Sequence, residues 1–237
     1  MNQSHKYILL IETATEICSV AIGCYINRDN YNIVDELTID KSMSHSEVLT
    51  VAIATLIAKH NLPFKDFSAI AISGGPGTYT GLRIGFATAK GIAFGSNIKL
   101  IVVDTLRSWI DFGLQNLKNV QRNEKIKDNN ITHICAVMSS RRMEVIYGIT
   151  AINNPSTPTI STISKISELG LMDNNIFFIG NGVTKLQEMN PNIALQFLNS
   201  FKVRASLLLP NAIQLHLEGE YTHLHNATPM YIRAFGQ

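Results

Sequence analysis

The chain lacks every residue pattern that would place it at once in a specialised class. Its three cysteines, Cys18, Cys24 and Cys135, contain no C-x-x-C pair, and an odd set without that spacing offers neither a disulfide framework nor a thiolate zinc site. A reducing cytoplasm is the expected setting. Charge of one sign is missing too: 20 Lys plus Arg stand against 18 Asp plus Glu, a formal net charge of +2, too small to argue for nucleic-acid binding by itself. No basic, apolar, small-residue leader precedes Tyr7, and no apolar run approaches the ~20 residues that span a bilayer, so the chain is expected inside the cell and off the membrane. The seven histidines leave a gap from His60 to His133. The late group His216, His223 and His225 comes without an H-E-x-x-H or a carboxylate-rich helical spacing, and reads as a solvated surface cluster. There is no G-x-S-x-G elbow and no cysteine with an evident His partner, which removes the usual nucleophile arrangements.

What is present is an ordinary folded composition, 237 residues with 46% hydrophobic and 16% charged, enough for one large domain or two modest lobes. Tyr7 to Thr13, Ile17 to Tyr25 and Ile33 to Ile39 read as three short strands separated by polar turns, close enough for an antiparallel meander. A helix follows over His45 to His60, then a buried strand from Ala69 to Ser73, a glycine loop, a glycine-striped helix and a buried strand from Leu100 to Val103. The order βββαβαβ predicts helices covering a partly parallel sheet. After a helix to about Val120, the polar stretch Gln121 to Asn130 is a candidate lobe boundary. A second β-first run comes next: Ile134 to Met138, Val145 to Ile152 and Thr159 to Ile163, a short helix near Ile166, a strand from Ile176 to Ile179, and helices around Val183 to Met189 and Leu207 to Leu217. The repeated rhythm points to two lobes, assigned to residues 1–104 and 105–237, with the C-terminal segment able to pack back on the first.

The run Ser73 to Gly95 is the most informative, because Gly81, Gly85, Gly91 and Gly95 fall inside or at the end of a helix where each interior one costs ~1 kcal/mol against alanine. Gly81, Gly85, Thr88 and Gly95, with Ile92 among them, share one stripe, which predicts a close neighbour. The loop Gly74 to Gly81 follows a strand and opens a helix, where backbone N–H groups can hold an anion, with Gly75, Gly77 and Thr78 as the contacts. Its spacing matches neither the dinucleotide fingerprint nor the P-loop, so a tight turn with Thr80 capping the helix is the other reading. Helix His45 to His60 carries a core stripe of His45, Leu49, Ala52, Ile53 and Leu56, yet its opposite side offers Val51, Ala54 and Ala58, with Glu47 its only charge. Such a helix is covered on nearly all sides, by a partner or by the second lobe. Glu12, ending the first strand, can sit in a cleft, while Thr13 and Thr15 serve as turn formers. Ser139 to Arg142 reads as a hairpin turn or as a phosphate contact.

Ile11 to Ala21 (IETATEICSVA), the Ser-His-Ser at 44–46, and the run Gly74 to Gly95 together resemble the bacterial TsaB family, accessory subunits in making threonylcarbamoyladenosine on tRNA. Arg141 with Glu144-Val145, Gly180-Asn181-Gly182 and Pro229 to Arg233 fall in matching order. The resemblance implies an α/β, two-lobed actin-like (ASKHA, ribonuclease H-like) fold, each lobe a mixed sheet flanked by helices. It also implies a partner, the catalytic subunit TsaD, which carries a metal-binding H-x-x-x-H helix; the corresponding stretch here, Thr105 to Ile110, has no histidine. On that basis the chain is a non-catalytic scaffold with no catalytic or metal residue of its own. The resemblance implies that it helps transfer threonylcarbamoyl to N6 of an adenosine in tRNAs reading codons that begin with adenine. Metal and nucleotide are expected in the partner subunits, among them a TsaE-type ATPase, and tRNA is reached through the complex.

The partner interface is expected at His45, Leu49, Ile53, Leu56, Gly81, Arg83, Gly85, Thr88 and Ile92, with a homodimer through the same surface in isolation. Glu12 stands where the family commonly has Asp, and Ser139 where an acidic residue often precedes Arg141, which weakens a metal-nucleotide role. The rivals are a phosphotransferase of the same fold, using the glycine loop and Glu12, and, further off, a peptidase.

Overall fold

The computed structural model describes residues 6–40, 45–123, 131–140, 144–155, 158–163, 175–193 and 195–232. They form two compact units, one of residues 1–105 with 204–237 and the other of residues 106–203. The polar stretch expected as a lobe boundary therefore falls within the second unit: residues 121–123 still belong to a helix, and 124–130 lie outside the described residues. The segment from Arg204 onward belongs with the first unit.

In the first unit, β1 (Lys6–Glu12), β2 (Cys18–Tyr25) and β3 (Tyr31–Ile39) form the antiparallel meander, and β4 (Phe67–Ser73) and β5 (Lys99–Val103) add in parallel, giving the order β3-β2-β1-β4-β5. Parallel neighbours need crossovers. These are α1 (His45–His60), before β4, and α2 (Tyr79–Ser96), before β5. Strands β1 and β4 read as continuous apolar runs because both their faces are covered. Leu9, Ile11, Ile70 and Ile72 point to α1 and α2, while Ile8, Leu10, Ala69 and Ala71 meet the C-terminal helix. Edge strand β3 is only partly buried.

The second unit repeats this plan. β6 (His133–Ser139), β7 (Val145–Ala151) and β8 (Thr159–Ile163) are antiparallel neighbours, and β9 (Ile176–Ile179) and β10 (Gln196–Phe197) continue in parallel, so the order is β10-β9-β6-β7-β8. Counted from each unit's first strand, the two sheets have the same topology, the two-lobed actin-like arrangement that the family resemblance implied. α3 (Thr105–Asn123) lays Gly113 against Ile134 and Ile179. α4 (Val183–Met189) packs Val183 and Leu186 with Cys135 and Val137 on the other face. The two-residue β10 was not legible in sequence, and the helix expected near Ile166 lies outside the described residues.

The chain returns to the first unit through a 3-10 turn, Ala205–Leu208, and α5 (Leu209–Glu218). Buried and half-buried polar groups fasten that return. Ser19 Oγ accepts the Ala205 N–H at 3.0 Å, and Glu36 accepts from the Ser206 N–H at 2.7 Å and the Ser206 hydroxyl at 3.0 Å. Donors at the start of a helical segment have no partner inside it, and a carboxylate there supplies one.

Candidate functional site

The glycine loop turns its donors inward. Gly74 N–H donates to Val103 O at 2.7 Å, Gly75 N–H to Thr105 Oγ1 at 3.1 Å, and Thr78 N–H to Ala14 O at 2.7 Å. Gly75, at φ +106°, lies where only glycine is relaxed and where a Cβ would strike the Met230 carbonyl; Gly77 is pressed on Ala14. An anion contact at Gly75, Gly77 and Thr78 would need N–H groups that Gly75 and Thr78 already spend within the unit, so the expected cradle is a structural bracket instead. Thr80 is not the cap either. The helix begins at Tyr79, with Thr78 in the N-cap position and making no side-chain cap bond.

The glycine stripe of α2 divides in two. At Gly81 an added Cβ would collide with Thr13 O, and at Gly85 with Thr13 Oγ1 and Ile72 Cδ1; both residues are buried under the end of β1. The close neighbour that pays for these glycines is the chain's own first strand. At Gly91 and Gly95 nothing lies within 4 Å, so the C-terminal half of the helix turns the same kind of surface outward. Leu49, Ile53 and Leu56 also prove to be core residues, at 1%, 3% and 0% exposure, each stabilising the fold by about 2 kcal/mol through burial. The expected interface therefore loses Leu49, Leu56, Gly81 and Gly85 to the interior, and Ile53 remains only as the floor of a groove.

That groove runs between α1 and α2. About 540 Å³ in volume, it is lined by Thr50, Ile53, Ala54, Ile57, Ala58 and Phe64 on one side and by Ala87, Thr88, Gly91 and Ile92 on the other. Thr88 and Ile92, expected at the partner interface, line it. Beside the groove Val51 is 62% exposed and Phe94 80%, on faces that also expose Ala54, Ala58 and Ala87. The side of α1 opposite its core stripe is therefore open. Sequence periodicity had marked Val51, Ala54 and Ala58 as odd; Phe94 and Ala87 gave no signal of their own inside a helix of uniformly small and apolar residues. Arg83 is exposed on α2, one turn before the groove residue Ala87, and half-buried His45 meets Ile17 O at 3.2 Å through its ring.

Glu12 is fully buried, its Oε1 accepting the Ala14 N–H at 2.6 Å. Burial pushes this carboxyl up to about 7, against the lowering pull of the Ala14 N–H and the Ser73 hydroxyl. Burial likewise pushes the Cys18 thiol up to about 11, with the Glu12 charge adding to it, and raises Cys135; both stay protonated and unreactive near neutral pH. His216 leaves the supposed solvated cluster. Its ring stands edge-on to Tyr25 at 5.7 Å and Tyr221 at 5.6 Å, and desolvation, aided by the Lys6 charge, holds it below the ordinary histidine value. Among the described residues no group of three His, Cys, Asp or Glu is placed to hold a metal ion. The stretch Thr105 to Ile110 supplies no imidazole, thiol or carboxylate, so its donor set does not fit one. Residues 141–143, with Arg141 and Arg142 of the stretch read as a hairpin turn or a phosphate contact, lie outside the described residues. No helix among the described residues is long and apolar enough to cross a membrane.

Comparison with known proteins adds a family to this geometry. The family model described as TsaD, tRNA N6-adenosine threonylcarbamoyltransferase, matches residues 39–220. Over nearly the full length the chain is similar to the tRNA threonylcarbamoyladenosine biosynthesis protein TsaB of Escherichia coli, at 25% identity covering 95% of this chain and 94% of that protein. A tRNA N6-adenosine threonylcarbamoyltransferase of Geotalea daltonii is 32% identical over 103 residues, 43% of this chain and 29% of the relative. Among solved structures, YeaZ from Pseudomonas aeruginosa superimposes with a TM-score of 0.71 at 20% identity, covering 95% of this chain and 100% of that one.

Proposed function

Since the chain belongs to the TsaD, tRNA N6-adenosine threonylcarbamoyltransferase, family and is of the TsaB type within it, we propose that it serves threonylcarbamoyladenosine formation on tRNA as a non-catalytic subunit. It docks a TsaD-type chain on the outer face of α1 and α2 and leaves the chemistry to that partner. The observation that carries the reading is the open apolar groove of about 540 Å³ with Val51 and Phe94 exposed beside it, on helices whose inner sides already complete the core. An apolar face of this kind marks a protein contact. The same family model covers both kinds of chain, so each partner brings its own helix-covered sheet, and two such layers can pair about a pseudo-two-fold axis.

In this reading the metal and the nucleotide reside in the partner subunits, a TsaE-type ATPase joins them, and tRNA is bound by the complex, all in the cytoplasm. Without its partner the chain pairs with a second copy through the same face, so the two associations exclude each other. The test is to mix the purified chain with the TsaD-type chain of its own cell and follow both by light scattering. The reading expects the homodimer to give way to a one-to-one heterodimer that modifies tRNA when the remaining subunits are supplied, while the chain alone transfers no phosphate. Failure to associate overturns it, as does phosphate transfer by the isolated chain.

A further inference from the structure

Arg83 is held in a way that its exposure alone would not lead one to expect. Its guanidinium carbon lies 3.9 Å from the centre of the Tyr79 ring, and its Nε–H donates to Tyr231 Oη at 3.4 Å. The two tyrosine rings sit 5.2 Å apart. Tyr231 is itself carried by a strap of the C-terminal segment: Met230 N–H donates to Gly74 O at 2.8 Å, and Lys90 Nζ reaches Ala227 O at 3.3 Å. The glycine loop whose donors are spent internally thus receives this strap and brings its tyrosine over α2.

A solvent-exposed arginine ordinarily loses much side-chain entropy when it pairs. Stacking on one ring and bonding to a second removes that cost in advance, and leaves the outer edge of the fork to an incoming acid. Tyrosine and arginine are also the residue types in which binding energy at protein contacts concentrates. We infer that Arg83, clamped between Tyr79 and Tyr231, is the polar anchor of the α1–α2 face and pairs with a carboxylate of the docked chain. This rests on the docking reading above. A carboxylate fits better than a tRNA phosphate because the other cation of α2, Lys90, already bonds Ala227 O, and the formal charge of the whole chain is only +2. A backbone-tracking site needs several cations in a row.

The test compares the affinity of the wild-type chain and its variants for the TsaD-type chain. Arg83→Ala is expected to weaken association at least ~10-fold at low salt and to flatten its salt dependence, with thermal stability unchanged. Arg83→Lys keeps the charge without the planar fork and is expected to stay close to the alanine variant. Gly91→Arg, in the groove, is the control for docking itself. If Gly91→Arg abolishes binding while Arg83→Ala binds as wild type, or Arg83→Lys restores full affinity, the carboxylate clamp is overturned and the docking face stands. If both variants bind as wild type, the docking face falls as well. If Arg83→Ala spares the protein complex and weakens only its hold on tRNA, the ligand is a phosphate and the inference is wrong.

Discussion

Gly85 and Gly91 occupy one helix and are the same residue type, yet they serve opposite ends. At Gly85 the missing side chain lets α2 settle on Thr13 and Ile72, whereas at Gly91 it leaves backbone bare with nothing within 4 Å. The first glycine is demanded by the fold of this chain. The second has no use within the first unit, and it costs the helix about 1 kcal/mol. In the docking proposed above, this bare backbone is where the partner approaches.

The largest effect that would break this contrast is on the inner glycine. Gly85→Leu forces a side chain into Thr13 Oγ1 and Ile72 Cδ1, and should cost at least about 3 kcal/mol in urea unfolding, enough to empty the native state of a marginal domain. An association assay on that variant would report folding and say nothing of docking. Gly91→Arg should leave the unfolding midpoint nearly unchanged and raise the dissociation constant for the TsaD-type chain about 100-fold or more. A midpoint that collapses here would mean that Gly91, too, is internal.

The third effect concerns the carboxyl under the loop. The folded value of Glu12, about 7, lies above the ordinary 4.5, so the native state holds its proton more tightly than the unfolded chain. Its contribution is therefore fully present below about pH 4.5 and is lost as pH rises through 7. Glu12→Gln should make little difference at pH 4.5 and be more stable than wild type by up to about 3 kcal/mol at pH 8. Calorimetry at the two pH values reads this directly; parallel curves would show that Glu12 is ionised in the native state. Glu36→Ala, which strips Ser206 of its two bonds, should cost about 1–2 kcal/mol. Smallest is Gly91→Ala, expected to stabilise the isolated chain by up to about 1 kcal/mol, whereas Gly85→Ala should destabilise it.

Much of the fold was legible because it is written in local patterns. α1 runs from His45 to His60 as its apolar spacing and the Asn61-Leu62-Pro63 stop indicated, and the Ile and Val runs located β1, β4 and β9 within two residues at either end. The direction of the glycine stripe was not legible. Gly81, Gly85, Gly91 and Gly95 fall within one broad side of the wheel, and a wheel says which residues are neighbours but not which edge of the stripe meets the core. That was decided by where Thr13 comes to rest, a contact across more than sixty residues of chain. The anion reading of the loop failed for a similar reason: its acceptors, Val103 O, Thr105 Oγ1 and Ala14 O, come from other elements. The strap that brings Tyr231 to Arg83 joins residues 148 positions apart, and no local pattern announces it.

Hydrogen exchange on the chain with and without its TsaD-type partner tests the central claim most directly, because it maps the docked face on the folded protein without a substitution. The account predicts new protection at exposed amides of α1 and α2, strongest around Val51 to Ala58 and Ala87 to Gly95, and at the strap near Tyr231, with the 3-10 turn Ala205–Leu208 and α5 unchanged. Protection confined to the second unit or to α5, with α1 and α2 exchanging as in the free chain, would contradict it.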